Sequence, residues 1–147
     1  MKKMFVLLTL GLTYLIINAQ TAQPDSWKIT WNNKVILETN KSDETANVRK
    51  IKSSDLNKSC FLEINYKEAD AKKEKEWIRS FMLMDENDKE LLRKDSTRNV
   101  KIAAAELKKL FGEQKKVKIY TIAIPADPGL AARVRVRRVH LCTLELQ

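Results

Sequence analysis

This chain holds few of the residues from which catalytic and metal sites are built. It has one histidine (His140), two cysteines (Cys60 and Cys142), three glycines and three prolines in 147 residues. Three scattered glycines form no glycine-rich loop to cradle a phosphate, which excludes the common nucleotide-binding signatures. A single histidine excludes a blue-copper site, which needs two histidines and a cysteine. It also means that any nucleophile–base arrangement has to use His140. No paired carboxylates stand out. The acidic run DENDK (residues 85–89) lacks the spacing and the glycine of a calcium loop and reads as a turn. After residue 23 no stretch is long and apolar enough to span a bilayer, and there is no internal repeat or low-complexity tract.

The N-terminal nineteen residues, MKKMFVLLTLGLTYLIINA, have a positive start at Lys2 and Lys3, an apolar run from Met4 to Ile17, and a small residue, Ala19, before polar Gln20. That order is the pattern of a secretory signal peptide. The run is shorter than the ~20 residues of a membrane-spanning helix, so a retained anchor is the weaker alternative. Ile17 is larger than the residue preferred three positions before a cut, and Ala22 offers a second cleavage position. The expected organisation is a signal peptide (1–19), a polar leader QTAQPDS (20–26) and one β-rich domain (27–147). The expected location is periplasmic or extracellular, soluble after cleavage near Ala19, with no transmembrane segment in the mature chain.

Cleavage leaves 128 residues, enough for a hydrophobic core without staples. The full chain carries a formal charge of +9, and losing Lys2 and Lys3 leaves +7. A basic balance favours anionic partners, although acidic and basic residues are interspersed over most of the chain, as on any solvated surface. In an oxidising compartment Cys60 and Cys142 can pair, and a bridge closing so long a loop contributes about 4 kcal/mol on the chain-entropy account. Both also sit in apolar, strand-like runs that suit buried free thiols. The spacing leaves the two outcomes open.

Alternation with period two predicts most of the strands. WKITW (27–31) places Trp27, Ile29 and Trp31 on one face, and Asn32-Asn33 suits a two-residue hairpin turn before KVILET (34–39). VRKIK (48–52) is a short candidate strand. CFLEINY (60–66) sets Cys60, Leu62, Ile64 and Tyr66 on one face. The charged run KEADAKKEKE (67–76) is a loop or a solvated helical turn. WIRSFMLM (77–84) has Trp77, Arg79, Phe81 and Leu83 on one face and Ile78, Met82 and Met84 on the other, as in a strand covered on both sides. KELLRKDS follows as its hairpin partner. AAAELKKLFG is the one helix, near 103–111, with Leu107, Leu110 and Phe111 as its buried stripe and Gly112 as terminator. VKIYTIAIP (117–125) is a second two-sided strand, PADPGLAA a turn-rich loop, and RVRVRRVHLCTLELQ a long final strand with a bulge near Arg137-Arg138. About seven to eight short strands, one helix and no βαβ rhythm predict a mainly β fold. The leading form is an antiparallel β-sandwich of Greek-key or immunoglobulin-like type; a small open barrel with one helix is the alternative.

Three constellations carry chemistry. His140 and Cys142 share strand parity, but ~6.6 Å between Cα atoms two residues apart is long for a working dyad. Cys60, Cys142, Met82, Met84 and His140 make a conceivable soft-metal set, although methionines in apolar strands are usually core. Arg133, Arg135 and Arg137 alternate with valines and would project from one strand face at roughly 7 Å intervals. Their planar forks suit carboxylate, sulfate or phosphate. Lys115, Lys116 and Lys118 would extend the patch if the 117–125 strand pairs with the last one. The same arginines would also serve to cover a sheet face, pair with neighbouring acids or guard an edge. The reading is therefore a small exported, non-catalytic binding or accessory component of the cell envelope, needing no cofactor, whose candidate partners are an anionic glycan, a lipid surface or another envelope protein. The alternatives are an anionic glycan- or lipid-binding module on the Arg133–Arg137 face and a thiol or metal protein built on Cys60, His140 and Cys142. Nucleic acid is disfavoured outside the cytoplasm, and the aromatic interleaving of a single-strand binder is missing.

Overall fold

Asn32 and Asn33 take positive φ angles of 48° and 64°. Consecutive left-handed residues match the right-handed twist of the flanking strands. They close the hairpin between β1 (Ser26–Trp31) and β2 (Lys34–Thr39) that the sequence predicts. The computed structural model describes residues 24–147; the stretch read from the sequence as a signal peptide (1–19) and the leader as far as residue 23 lie outside them. Among the described residues the order continues with β3 (Val48–Ile51), a 3-10 turn (Ser53–Asn57), β4 (Phe61–Lys67), α1 (Ala71–Glu76) and β5 (Trp77–Met84). Then come β6 (Glu90–Lys94), β7 (Asn99–Ala103), α2 (Ala104–Phe111), β8 (Lys116–Pro125), α3 (Pro128–Ala131) and β9 (Val139–Leu146).

The strands form two sheets, one ordered β2-β1-β4-β7 and the other β3-β9-β8-β5-β6, and neither closes into a barrel. One buried cluster takes Trp27, Ile29, Leu62, Ile64, Val100 and Ile102 from the first sheet and Phe81, Leu83, Val117, Ile119, Leu141 and Leu144 from the second. The Trp27 indole Nε1–H donates to the Leu141 carbonyl at 3.1 Å, tying a buried donor of one sheet to the backbone of the other. Helix α2 forms where expected: Leu107 and Phe111 are buried, and Gly112 ends it at φ 52°. Its N-cap, Ala103, supplies no side-chain hydrogen bond.

Five features differ from the sequence reading. The described residues hold three helices rather than one, because KEADAKKEKE supplies α1, capped by Asp70, and PADPGLAA supplies α3. There are nine strands rather than seven or eight, because NVKIA forms β7, whose Val100 and Ile102 are buried in register with Ile64 and Leu62. The sheets are not wholly antiparallel, since β3 runs parallel to β9. The last strand begins at Val139, not at Arg133. Asp127 accepts from the Leu130 N–H at 2.6 Å and Pro128 opens α3, and the Arg133 N–H is bonded to the Leu130 carbonyl. Backbone donors spent in that turn are not offered to a ladder, and β8 beyond Thr121 pairs only with β5. Finally, the bulge lies at Leu141 rather than at Arg137-Arg138. Ile119 pairs with Cys142 while the next residue, Tyr120, pairs with His140, so Leu141 is the extra residue on β9.

Candidate functional site

At one end of the fold β5 and β8 run on past the start of β9. The inward face there is polar. Arg79 occupies the core-facing position between Trp77 and Phe81 and is only 5% exposed. A guanidinium cannot lose its charge, so its burial requires a paired acid. Glu68, just after β4, supplies one: Arg79 Nε and Nη2 donate to its two carboxylate oxygens at 2.7 and 2.9 Å. Arg79 Nη1 donates to Thr121 Oγ1 at 3.1 Å, and the guanidinium lies 3.7 Å from the centroid of the Tyr66 ring. These bonds use three of its five N–H donors. Tyr66 donates its hydroxyl to Asp25 at 2.9 Å, and burial pushes the phenol well above its ordinary pKa. The other Asp25 oxygen accepts from the Ala69 N–H at 2.8 Å. Arg98, 3.8 Å from Glu68, donates to the Lys73, Glu74 and Trp77 carbonyls at the C-terminal end of α1, where a cation suits the helix dipole.

Above this network lies an open cavity of about 210 Å³. Tyr66, Arg79 and Thr121 form its floor with the Asp25 carboxylate beside them, Trp77 one wall, and Lys73, Arg135 and Arg137 reach it from the exposed side. Arg133, Arg135, Arg137 and Arg138 are all exposed. Among the described residues no acidic side chain pairs with any of them. Arg138 turns to the opposite face, where its Nη1 lies 3.2 Å from Met84 Sδ and its guanidinium 5.4 Å from the Tyr120 ring centroid. Arg135 and Arg137 therefore keep a shared direction without belonging to a strand, and they overhang a buried guanidinium that period-two counting did not connect with them.

Lys116 and Lys118 do not join this patch. β8 does pair antiparallel with β9, but these lysines stand at its other end, opposite Glu145 and Thr143, while the arginines precede Val139 opposite Thr121. Lys116 pairs with Glu145 at 2.7 Å and Lys118 with Asp88 at 3.0 Å, and each hydrogen bond raises the lysine pKa. Lys115 is exposed at the same far end.

The thiol and soft-metal constellations come apart. The bulge at Leu141 sends Cys142 to the core and His140 to the outer face, reversing the shared parity expected for them. His140 is 3% exposed, packs edge-on against Tyr120, and has Nε2 3.0 Å from Thr143 Oγ1; burial lowers its pKa. Met82 and Met84 lie in a small buried cluster with Tyr120 and Ile122, away from Cys142. Cys60 lies just before β4, its thiol 3.2 Å from the Asp55 carbonyl. Both cysteines are free and buried, so the structure holds two thiols and not the disulfide. Burial raises both pKa values, that of Cys142 to about 12. A thiol reagent at neutral pH should leave Cys142 unmodified in the folded protein, and two thiols per chain should react in denaturant. No free thiol in denaturant would contradict this arrangement.

Asp25, Glu68 and Arg79 are the site residues that sequence reading missed. One signal was present. An arginine at core-facing parity between Trp77 and Phe81 demands a buried acid, although nothing in the sequence says which acid. No protein-family model matches the chain, and no curated protein matches it.

Proposed function

We propose that this is a small exported, non-catalytic binding protein of the cell envelope, built as a β-sandwich, which takes an anionic ligand on the Arg133–Arg137 segment. The single core drawn from both sheets and the Trp27–Leu141 hydrogen bond between them support the sandwich reading. The observation that carries the ligand reading is the pair Arg135 and Arg137. These are exposed cations without acidic partners, overhanging a cavity whose floor is a buried guanidinium. Surface arginines gain from nearby acids, and Arg93, the exposed arginine outside 133–138 among the described residues, has two, Glu90 and Asp95. Glu68 already neutralises Arg79 and the Asp25 carboxylate lines the same cavity, so the net attraction for an incoming anion comes from Lys73, Arg135 and Arg137.

A sulfated heparin-type oligosaccharide is a suitable soluble probe. Affinity should fall as salt rises, and Arg135→Glu with Arg137→Glu should weaken binding about tenfold or more, since reversing unpaired charges changes the long-range field as well as the contact. Equal, salt-insensitive binding by both proteins would dismiss the segment as a site. Export rests on the N-terminal pattern, and the mass of the secreted chain tests it: loss of residues 1–19 is expected, and an intact Met1 contradicts it.

A further inference from the structure

We propose that the anion is the phosphate of a membrane lipid and that the stretch 127–138 is a bilayer-docking loop, an inference that rests on reading the arginine segment as an anion site. Five large apolar side chains are exposed among the described residues, and three of them belong to this end of the five-stranded sheet. Ile78 is 44% exposed and pairs with Ile124, just before α3; Leu130 is 47% exposed within α3; Val136 is 40% exposed between Arg135 and Arg137. None of the three belongs to either buried cluster. A solvated polyanion has no use for exposed leucine and valine beside its cations. An anionic bilayer uses both, because apolar side chains enter the headgroup boundary while arginines engage phosphates.

The chemistry of the loop is one-sided. Within 127–138 four arginines, Arg133, Arg135, Arg137 and Arg138, stand against one acid, Asp127, whose carboxylate is held by the Leu130 N–H. Each arginine near an anionic surface strengthens partitioning about fivefold. The cavity beneath Arg135 and Arg137, about 210 Å³, is smaller than the ~300–1,000 Å³ that enclose a drug-sized ligand. A single small head group fits that volume, and the same two arginines with Val136 and Arg138 border a second open hollow of about 580 Å³.

Cosedimentation with phosphatidylcholine vesicles, with and without about one-third phosphatidylglycerol, separates this source of phosphate from a soluble anion. The neutral vesicles report what the rest of the chain contributes. Binding should be at least tenfold stronger on the anionic vesicles. Leu130→Ser with Ile78→Ser, both at exposed positions outside the arginine segment, should reduce that binding about tenfold while leaving heparin oligosaccharide binding unchanged. Arg135→Glu with Arg137→Glu should reduce both. No preference for anionic vesicles, or no effect of the serine variants on it, overturns the bilayer proposal. Oligosaccharide binding that survives such a result and still depends on Arg135 and Arg137 leaves the anion site standing. Loss of that dependence overturns both.

Discussion

Replacing Glu68 with alanine should lower the unfolding free energy by about 3–5 kcal/mol, measured by urea denaturation. The Glu68 carboxylate is 1% exposed and accepts two hydrogen bonds from an arginine that is itself 5% exposed. Removing the acid leaves a guanidinium that cannot neutralise itself by titration in a place water barely reaches. The remaining partners do not compensate. Thr121 is a neutral hydroxyl, Asp25 stands 4.0 Å away and is already engaged by Tyr66 and Ala69, and Arg98 adds a second positive charge. An apolar replacement of both partners, Glu68→Leu with Arg79→Met, should recover most of the loss, because the pair is strongly coupled while its net contribution is small. A cost below about 1 kcal/mol for Glu68→Ala, the range of solvent-exposed pairs, would mean that water reaches the pair and that the cavity floor is not the fixed polar surface described here.

Truncating Phe81 to alanine should cost a similar amount, about 3–5 kcal/mol, since this fully buried ring is among the largest side chains of the shared core. The form of the transition matters as much as its midpoint. Trp27 and Trp31 report on the first sheet and Trp77 on the second. If both sheets close over one core, fluorescence and far-ultraviolet circular dichroism should give coincident curves in the variant as in the parent, shifted together. Two separate transitions, with Phe81→Ala moving one of them, would mean that each sheet is stable without the other.

What could be read from the sequence was what neighbouring residues decide. The Asn32-Asn33 hairpin needs only two residues that accept positive φ and an alternating strand on each side. Helix α2 needs one stripe and Gly112. The two-faced character of WIRSFMLM shows in its composition, and the structure buries both faces from Arg79 to Met84. The features that escaped depend on partners distant in the chain. Nothing in VRKI announces a parallel neighbour at Thr143–Leu146. A change of phase between Arg137 and Cys142 was legible, but its position was not, because Leu141 and Cys142 are both apolar and only the register against Ile119 and Tyr120 chooses between them. RVRVR alternates like a strand, yet alternation describes opposed side chains and not a hydrogen-bonded ladder. The turn from Asp127 to Val134 takes up the donors that an extended strand would have needed. The cavity was hidden for the same reason: Asp25, Glu68, Arg79 and Arg135 are brought together only by the packing of the two sheets.

In the proposed mode of binding, anion recognition belongs to the arginines at one end of β8 and not to the basic surface as a whole. The most direct measurement is heparin oligosaccharide affinity, at two salt concentrations, for the parent and two charge-matched variants: Arg135→Glu with Arg137→Glu, and Lys116→Glu with Lys118→Glu. Both remove two cations and add two acids. The arginine variant should bind about tenfold more weakly or worse and lose most of the salt dependence, while the lysine variant should stay within about twofold of the parent. Equal losses in the two variants would contradict the account and reduce the interaction to the net charge of the chain.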